Sequence, residues 1–243
     1  MKNLLIKTIM QRAINVSDLL IFISEAVKKT FQNNFKFEEN KSIVIYNGIN
    51  RKYLENIATE KKTEITNIVF VGRLEKVKGV DLLINAFGEV YKRNNQTQLT
   101  IVGDGKERKS LEKLAKKVKD SEKTIKFVGR QNNVIEWLDR AKIFVYPSIW
   151  EEGFGISVVE AMARGCIPIT FRKGGLTEII KDGKNGILVN EVSSDALAQA
   201  IIKVILMDDK RKKIMREEAI KTAKRFTIDN TIKNIEKSLN KIL

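Results

Sequence analysis

Two glutamates flank a glycine-rich turn in "PSIWEEGFGISVVEAMARG", residues 147 to 165. Glu152 lies in a predicted loop before the glycines, and Glu160 lies inside the predicted helix after them. The backbone amides of residues 153 to 155 stand where this helix begins, which makes them a site for a negative phosphate. A carboxylate on an apolar helix face needs a hydrogen-bonding partner, and a pair of hydroxyls would supply one. The alternative is one exposed glutamate and one structural glutamate that pairs with a nearby base.

Two cations follow another predicted strand, in "VFVGRLEKVKGV". Gly72 ends the strand, Arg73 follows it, and Lys78 precedes the next predicted helix. A glycine allows close approach to the backbone, and a guanidinium and an ammonium group could both reach a diphosphate. The alternative is a turn glycine beside two solvated bases.

Two further strand ends carry glycine. In "TIVGDGKERKSL", Gly103 and Gly105 begin a dinucleotide-binding pattern, but Arg108 stands where its third glycine is required. We therefore expect a simple strand-to-helix turn there. In "TIKFVGRQNNVIEWL", Gly129 ends a strand whose backbone could line a pocket for a base, and Arg130 is either part of that site or a surface cation.

Composition limits the chemistry that the chain can perform. The 243 residues carry 45 Lys and Arg against 30 Asp and Glu, a net charge of +15 that favours anionic ligands. There is no histidine and no Asp-x-Asp pair, so we expect neither His-based catalysis nor a metal or other cofactor. The basic residues are scattered, and we expect no nucleic-acid partner. The single cysteine, Cys166, is predicted to be a buried core residue of an intracellular, cytoplasmic protein.

Short β-branched runs alternate with helical patterns along the chain. This alternation predicts parallel βαβ units, and strands that are apolar on both faces predict a doubly wound, Rossmann-like α/β sheet covered on both sides. We assign residues 41–226 to that domain, with its boundary near Asn47 and Gly48. Residues 1–40 form a helix-strand-helix segment that cannot close a core by itself, and residues 227–243 form a final helix. The predicted strands lie in "DLLIFI", "SIVIY", "TNIVFVG", "QLTIVG", "TIKFVG", "KIFVYP", "CIPITF" and "NGILV".

Both ends of the chain are predicted to be amphipathic. No apolar run reaches the roughly 18 residues of a membrane span. The first helix mixes apolar and basic residues, which suits contact with a protein surface or peripheral contact with an acidic membrane, here the inner face. The last helix has an apolar stripe formed by Ile232, Ile235, Leu239 and Ile242.

The motifs together resemble a known family. G-R-L-x3-K-G occurs at 72 to 79, P-S-x3-E-G-F-G at 147 to 155, and E-x7-E from Glu152 to Glu160 into "EAMARGCIPI". Their order is similar to that in the donor-binding domain of retaining glycosyltransferases of family 4, the group 1 glycosyltransferases, which have the GT-B fold. The resemblance covers about residues 40 to 243.

The resemblance implies a hexosyltransferase whose donor is a nucleotide-sugar. UDP is the family's commonest donor nucleotide, with GDP and ADP as alternatives. It implies that Arg73 and Lys78 bind the diphosphate, that Glu160 binds the ribose hydroxyls and that Glu152 binds the hydroxyls of the donor sugar. Cations and a helix terminus would stabilise the leaving group without a metal, so Arg73, Lys78 and Glu152 are the catalytic candidates. The implied donor site is Gly72, Arg73, Lys78, Arg130, Glu152, Gly153, Phe154, Gly155, Ile156 and Glu160.

The sequence also departs from the family. Family members begin with an acceptor-binding domain, and only "VSDLLIFISEAVKKTF" resembles the end of that domain here. Tyr46 replaces the proline that usually precedes "NG". We therefore expect a donor domain that is inactive without an acceptor domain, and either self-association or a partner chain that supplies one. The acceptor, a glycan or a lipid, is not identified by the resemblance. The alternative is a non-catalytic nucleotide-sugar-binding subunit of a split glycosyltransferase.

Overall fold

A computed structural model describes residues 2–57 and 65–241. Each of its strands coincides with a segment that the sequence predicts to be a strand, although β4 begins one residue earlier, at Thr97. The lysine-rich stretch that follows the predicted boundary lies largely outside the described residues, as does Ile242. The strands are β1 (Leu20–Phe22), β2 (Ser42–Val44), β3 (Thr66–Val71), β4 (Thr97–Val102), β5 (Ile125–Gly129), β6 (Ile143–Tyr146), β7 (Ile167–Phe171) and β8 (Ile187–Val189).

Six of these strands form one parallel sheet in the order β5-β4-β3-β6-β7-β8. Chain order runs outward from β3 in one direction and from β6 in the other, so the strand order reverses between these two neighbours. The predicted doubly wound α/β sheet is confirmed. Ligands of such sheets bind outside the carboxyl ends of the strands at this switch point. A ligand site is therefore expected at the loops after β3 and β6.

Helices cover the sheet and complete the core. The central strands β6 and β7 are buried along their whole length, which explains their continuous apolar sequences. Cys166 is fully buried before β7, as predicted. The helices are α1 (Lys2–Asn15), α2 (Glu25–Gln32), α3 (Val80–Arg93), α4 (Arg108–Ala115), α5 (Ser121–Thr124), α6 (Ile135–Arg140), α7 (Ile156–Ala163), α8 (Leu176–Ile179), α9 (Ser194–Leu206), α10 (Asp209–Ala223) and α11 (Ile228–Leu239).

Three consecutive helices at the end of the chain begin at side chains that cap them. Ser193, Asp208 and Thr227 each accept a hydrogen bond from an amide in the first turn of α9, α10 and α11. On the sheet, α3 packs against α9 and α7 packs against α10. Among the described helices, none combines the length and the apolar character that a bilayer crossing requires.

The N-terminal segment forms a small sheet of its own. Strand β1 pairs in parallel with β2, so this pairing crosses the predicted boundary between residues 40 and 41. Four phenylalanine rings contact one another beneath α2 and extend this small core. They are Phe22, Phe31, Phe35 and Phe37.

Helix α11 contacts the segment that links the two sheets. The amide of Ile228 donates to the carbonyl of Ile49, and the Thr231 hydroxyl donates to the carbonyl of Tyr46 at 2.9 Å. The predicted apolar stripe of this helix is only partly covered, because Ile232 and Leu239 are exposed.

Candidate functional site

The loops after β3 and β6 bring a lysine and a glutamate into direct contact. The Lys78 ammonium donates to Glu152 Oε1 at 2.6 Å and to the Tyr146 hydroxyl at 2.9 Å. The Ser148 hydroxyl also donates to Glu152 Oε1. Two predicted donor-binding residues therefore form one polar cluster at the switch point of the sheet.

Close packing of two loops makes this contact. Gly79 has a φ of +62°, in the left-handed region that favours glycine, and a Cβ there would lie 2.2 Å from the carbonyl oxygen of Pro147. The Ile149 amide donates to the carbonyl of Val77 at 3.0 Å. A side chain at position 79 would separate the loops, and the lysine beside it could no longer reach the glutamate.

Burial and hydrogen bonding act in opposite directions on the Lys78 ammonium. The Lys78 and Glu152 side chains are each only 12% exposed. Desolvation lowers the pKa of Lys78, but its hydrogen bonds to Glu152 and Tyr146 outweigh that effect and raise the pKa. Burial has the opposite effect on the Tyr146 hydroxyl and raises its pKa, because desolvation disfavours the charged phenolate. The cation therefore stays charged at neutral pH, as the binding of a phosphate requires.

The glycine-rich loop leads directly into α7. Gly155 has a φ of +97°, and a Cβ there would lie 2.5 Å from Leu176 Cδ2. The Phe154 side chain is buried against the rings of Tyr46 and Phe226, so only the backbone of this loop can face a ligand. The first amides of a helix lack partners within the helix and carry partial positive charge. The structure thus places the predicted backbone cradle at the start of α7.

Two hydrogen bonds join this loop to the turn before α8. The Gly175 amide donates to the carbonyl of Glu152 at 2.7 Å, and the Gly174 amide donates to the Glu151 carboxylate at 2.6 Å. The two adjacent glutamates therefore point to different partners. Glu151 holds the turn before α8, and Glu152 faces the lysine.

Glu160 lies half-buried on α7, as the sequence predicts. Burial raises the pKa of its carboxyl group, and the Tyr53 hydroxyl and the Lys52 cation oppose that rise. Tyr53 lies in the 3-10 turn Arg51–Leu54, which packs against α7. A carboxylate has about four acceptor sites, so Glu160 can accept from further donors.

The two predicted arginines are exposed. The Arg73 side chain is 72% exposed and its guanidinium lies 2.7 Å from Glu75 Oε1. It follows Gly72 at the end of β3, in the same loop as Lys78. Arg130 follows the edge strand β5, two strands away from β3. The structure thus places Arg73 in the loop that carries Lys78 and Arg130 at the margin of the sheet.

Several residues of the site were not assigned a role from the sequence. Tyr146 and Ser148 hold the lysine and the glutamate of the polar cluster, and Tyr53 lies in the turn that packs against the helix of the second glutamate. The position of Tyr146 at the last place of a strand that leads into the glycine motif was the available signal. Nothing in the sequence around Tyr53 pointed to α7.

Glu178 is another residue that the sequence did not single out. Its carboxylate accepts from the backbone amides of Glu25 at 3.0 Å and Ala26 at 2.8 Å, at the start of α2. It also accepts from the Tyr46 hydroxyl at 2.9 Å. Burial and this carboxylate raise the pKa of Tyr46 to about 12. Glu178 therefore joins the N-terminal segment to the domain that carries the site. The segment also approaches the glycine-rich loop, because a Cβ added at Gly153 would lie 3.0 Å from the Ile23 side chain.

Within residues 2–57 and 65–241, no three Cys, Asp or Glu side chains lie close enough together to hold a metal ion.

The sequence is similar to known proteins over most of its length. Residues 29–225 match the family model of the glycosyl transferases group 1. An uncharacterized glycosyltransferase of Methanocaldococcus jannaschii is 32% identical over 223 residues, which are 91% of this chain and 59% of that protein. A D-inositol 3-phosphate glycosyltransferase of Corynebacterium urealyticum is 27% identical over 246 residues, which are 93% of this chain and 57% of that protein. The chain thus spans less than two thirds of the length of these relatives.

The fold is also similar to that of solved structures. Anabaena HepE in complex with UDP superposes with a TM-score of 0.86 at 23% identity, over 97% of this chain and 68% of that one. The complex of the same protein with UDP-glucose gives a TM-score of 0.84. At this level of identity the likeness shows the fold.

Proposed function

The chain belongs to the group 1 glycosyl transferases, and we propose that it binds the nucleotide-sugar donor, a UDP-sugar, for retaining sugar transfer of the family 4 type without a metal ion. The observation that carries this proposal is the contact between Lys78 and Glu152 at the switch point of the sheet. HepE, which has the same fold, was solved with UDP and with UDP-glucose, which supports the choice of UDP.

Positive charge for the diphosphate comes from two side chains and one helix. An ammonium group has three donors, and Lys78 uses two of them on Glu152 and Tyr146. The third remains for a phosphate oxygen. Arg73, which is exposed, exchanges its partner Glu75 for the diphosphate, and the amides at the start of α7 add partial positive charge.

The same groups supply the chemistry of the leaving group. As the bond to the sugar breaks, negative charge develops on the diphosphate oxygen. Preorganised cations and helix amides at that position stabilise the charge without a metal ion. The Lys78 side chain is largely buried and fixed by Tyr146, so little reorganisation is needed when the charge develops. Arg73, Lys78 and Glu152 are thus the proposed catalytic residues.

The two ends of the donor are bound by the two glutamates. Glu152 accepts from Lys78 and Ser148 through one oxygen, and a carboxylate has about four acceptor sites, so it can also accept from the sugar hydroxyls. Glu160 accepts from the ribose hydroxyls. Gly72 and the backbone from Gly153 to Ile156 complete the site.

Arg130 and the acceptor are the two parts of the proposal that lie away from the polar cluster. Arg130 contributes from the edge of the sheet, where its side chain is exposed, and its contribution to donor binding is the smallest. In the proposed mechanism a second domain holds the acceptor, a glycan or a lipid, opposite this site. Sugar transfer therefore requires that domain, and donor binding is the activity that tests this chain.

Isothermal titration of the chain with UDP-glucose in the presence of EDTA tests the proposal. We expect saturable binding with one site per chain and no change when EDTA is replaced by magnesium. No heat of binding with UDP-glucose or with free UDP, or binding that requires the metal, would contradict the proposal. GDP-mannose and ADP-glucose in the same assay test the choice of base.

A further inference from the structure

We propose that Glu178 is a positioning residue for the sugar end of the donor, because its carboxylate bonds the N-terminal segment to the helix that supports the glycine-rich loop, residues 152–155. This inference rests on the proposed function and extends it to a residue outside the motifs that predict the site. The role needs no contact between Glu178 and the donor. Glu178 acts through the position of the loop, on which the sugar is proposed to bind.

The Glu178 carboxylate lies at the N-terminal end of α2. One of its oxygens accepts from the Ala26 amide at 2.8 Å, and the other accepts from the Glu25 amide at 3.0 Å. The next amide of the helix, that of Val27, donates to the Ser24 hydroxyl at 3.1 Å. Glu178 therefore supplies partners for two amides that have none within the helix, and its negative charge lies at the positive end of the helix dipole.

The same carboxylate also bonds to the segment that links the two sheets. The Tyr46 hydroxyl donates to Glu178 at 2.9 Å. The centroid of the Tyr46 ring lies 6.0 Å from that of Phe154, whose side chain is buried and belongs to the glycine-rich loop. Glu178 is thus bonded both to α2 and to a residue that packs on the loop.

Glu178 stands on α8, and the turn that leads into this helix packs directly on the glycine-rich loop. A Cβ at Gly174 would lie 2.3 Å from the carbonyl oxygen of Glu152, and a Cβ at Gly175 would lie 2.4 Å from that of Gly153. The Gly175 amide donates to the carbonyl of Glu152 at 2.7 Å. Closely packed segments transmit displacements, so a movement of α8 should move the loop as well.

The N-terminal segment contacts the same loop. A Cβ added at Gly153 would lie 3.0 Å from the Ile23 side chain and 3.4 Å from the Val27 side chain. Ile23 follows β1, and Val27 lies in the first turn of α2, whose amides Glu178 binds. The loop therefore has both α8 and the N-terminal segment as neighbours, and Glu178 bonds one of these neighbours to the other.

The position of the loop affects the sugar more than the nucleotide. Glu152 lies in the loop, and its carboxylate is proposed to accept from the sugar hydroxyls while it pairs with Lys78. When Glu178 releases α2, one of the two neighbours of the loop loses its fixed position. The ribose and the diphosphate are proposed to contact Glu160, Arg73 and Lys78, which lie outside the loop. The affinity for the sugar should therefore fall more than the affinity for the nucleotide.

The test uses Glu178→Gln, which keeps the size of the side chain, removes its charge and replaces one acceptor oxygen with an NH2 group. We expect it to lower the affinity for UDP-glucose about 3- to 10-fold, as for residues that act on a site through intervening contacts, and to leave the affinity for UDP within about 2-fold. Glu191→Gln is the matched control, because it makes the same change at an exposed position and should change neither affinity. Isothermal titration measures both affinities.

A double-mutant cycle supplies a readout that a general loss of stability would not move. Glu178→Gln should lower the affinity for UDP-glucose by a smaller factor in a Glu152→Gln background than in the wild type, because the contact that Glu178 positions is already impaired there. Tyr46→Phe provides a second variant in case Glu178→Gln does not fold. It removes one of the three bonds to Glu178 and keeps the ring beside Phe154, so it should lower the affinity for UDP-glucose relative to UDP by a smaller factor.

The outcomes separate this inference from the proposed function. If the wild type binds neither UDP nor UDP-glucose, the proposed function fails. If it binds UDP but not UDP-glucose, the positioning role is overturned, because there is no sugar contact to position. If it binds both, unchanged affinities or equal losses for the two ligands in Glu178→Gln overturn the positioning role alone. An equal factor for Glu178→Gln in the wild type and in the Glu152→Gln background would also overturn it.

Discussion

The Lys78 ammonium lies 2.6 Å from Glu152 Oε1, although the two residues are 74 positions apart in the sequence. Both side chains are largely buried before any ligand is present. A buried charge that loses its partner is destabilising, because desolvation is no longer compensated. This ion pair therefore has consequences for folding as well as for binding.

Replacing one member of the pair should destabilise the protein. Lys78→Met leaves Glu152 desolvated and unpaired, and we expect a loss of about 1–3 kcal/mol in the free energy of unfolding. Lys78→Met with Glu152→Gln should recover most of that loss. The exposed pair Lys92 and Glu89 is the matched control, and Lys92→Met should cost less than about 1 kcal/mol. Urea denaturation of the variants measures these differences, and equal effects of the two lysine variants would contradict the account.

The cations should contribute separately to donor binding. Arg73→Ala and Lys78→Ala should each lower the affinity for UDP roughly 10- to 100-fold, the effect of losing a charge-assisted hydrogen bond of about 1.5–3 kcal/mol. Arg93→Ala, an exposed arginine at the far end of α3, removes the same charge and should have little effect. Calorimetric titration distinguishes these cases. Unchanged affinity in both site variants would remove these residues from the site.

Glu160→Gln should stabilise the unliganded protein and lower its affinity for the donor. Burial raises the pKa of this carboxyl group in the folded state. The protonated group therefore favours folding below the pKa of the unfolded chain, and this contribution is lost as the pH rises through the pKa of the folded state. At neutral pH the ionised group is therefore a cost that glutamine removes. We expect a higher Tm at neutral pH, and no gain at a pH below the ordinary glutamate pKa of about 4.3.

The same variant should lose UDP affinity while its affinity for 2′,3′-dideoxyuridine diphosphate is retained, since that analogue never makes the lost interaction. A lower Tm at neutral pH together with equal losses for both nucleotides would show that Glu160 is purely structural.

Glu178→Gln should loosen the N-terminal segment. The carboxylate accepts from two amides of α2 and from Tyr46, and charged acceptors contribute about 1.5–3 kcal/mol each. We expect faster hydrogen exchange at the Glu25 and Ala26 amides. Glu191→Gln, an exposed glutamate, is the control and should leave exchange there unchanged. Unaltered protection in Glu178→Gln would show that this contact does not hold the segment.

Local pattern was enough to predict the sheet. Most strands are short runs rich in β-branched residues, and Gly72 and Gly129 mark the carboxyl ends of β3 and β5. The backbone cradle before α7 was predictable for the same reason, because helix starts leave amides without partners wherever they occur.

Contacts between distant segments were not predictable from spacing. The sequence indicated Lys78 and Glu152 as separate ligands of one donor, but their contact depends on how closely Gly79 lets two loops approach. Arg164, at the end of α7, binds the carbonyls of Glu55 and Asn56, and Glu178 binds the first amides of α2, each across more than 100 positions of sequence. These partners are set by tertiary packing, for which a single sequence carries no periodic signal.

A crystal structure of the chain with bound UDP-glucose, grown in EDTA, would locate the donor. We expect the diphosphate between Lys78 and the start of α7, with the ribose hydroxyls on Glu160 and the glucose hydroxyls on Glu152. A nucleotide bound away from the carboxyl ends of β3 and β6, or a ribose that does not contact Glu160, would contradict it.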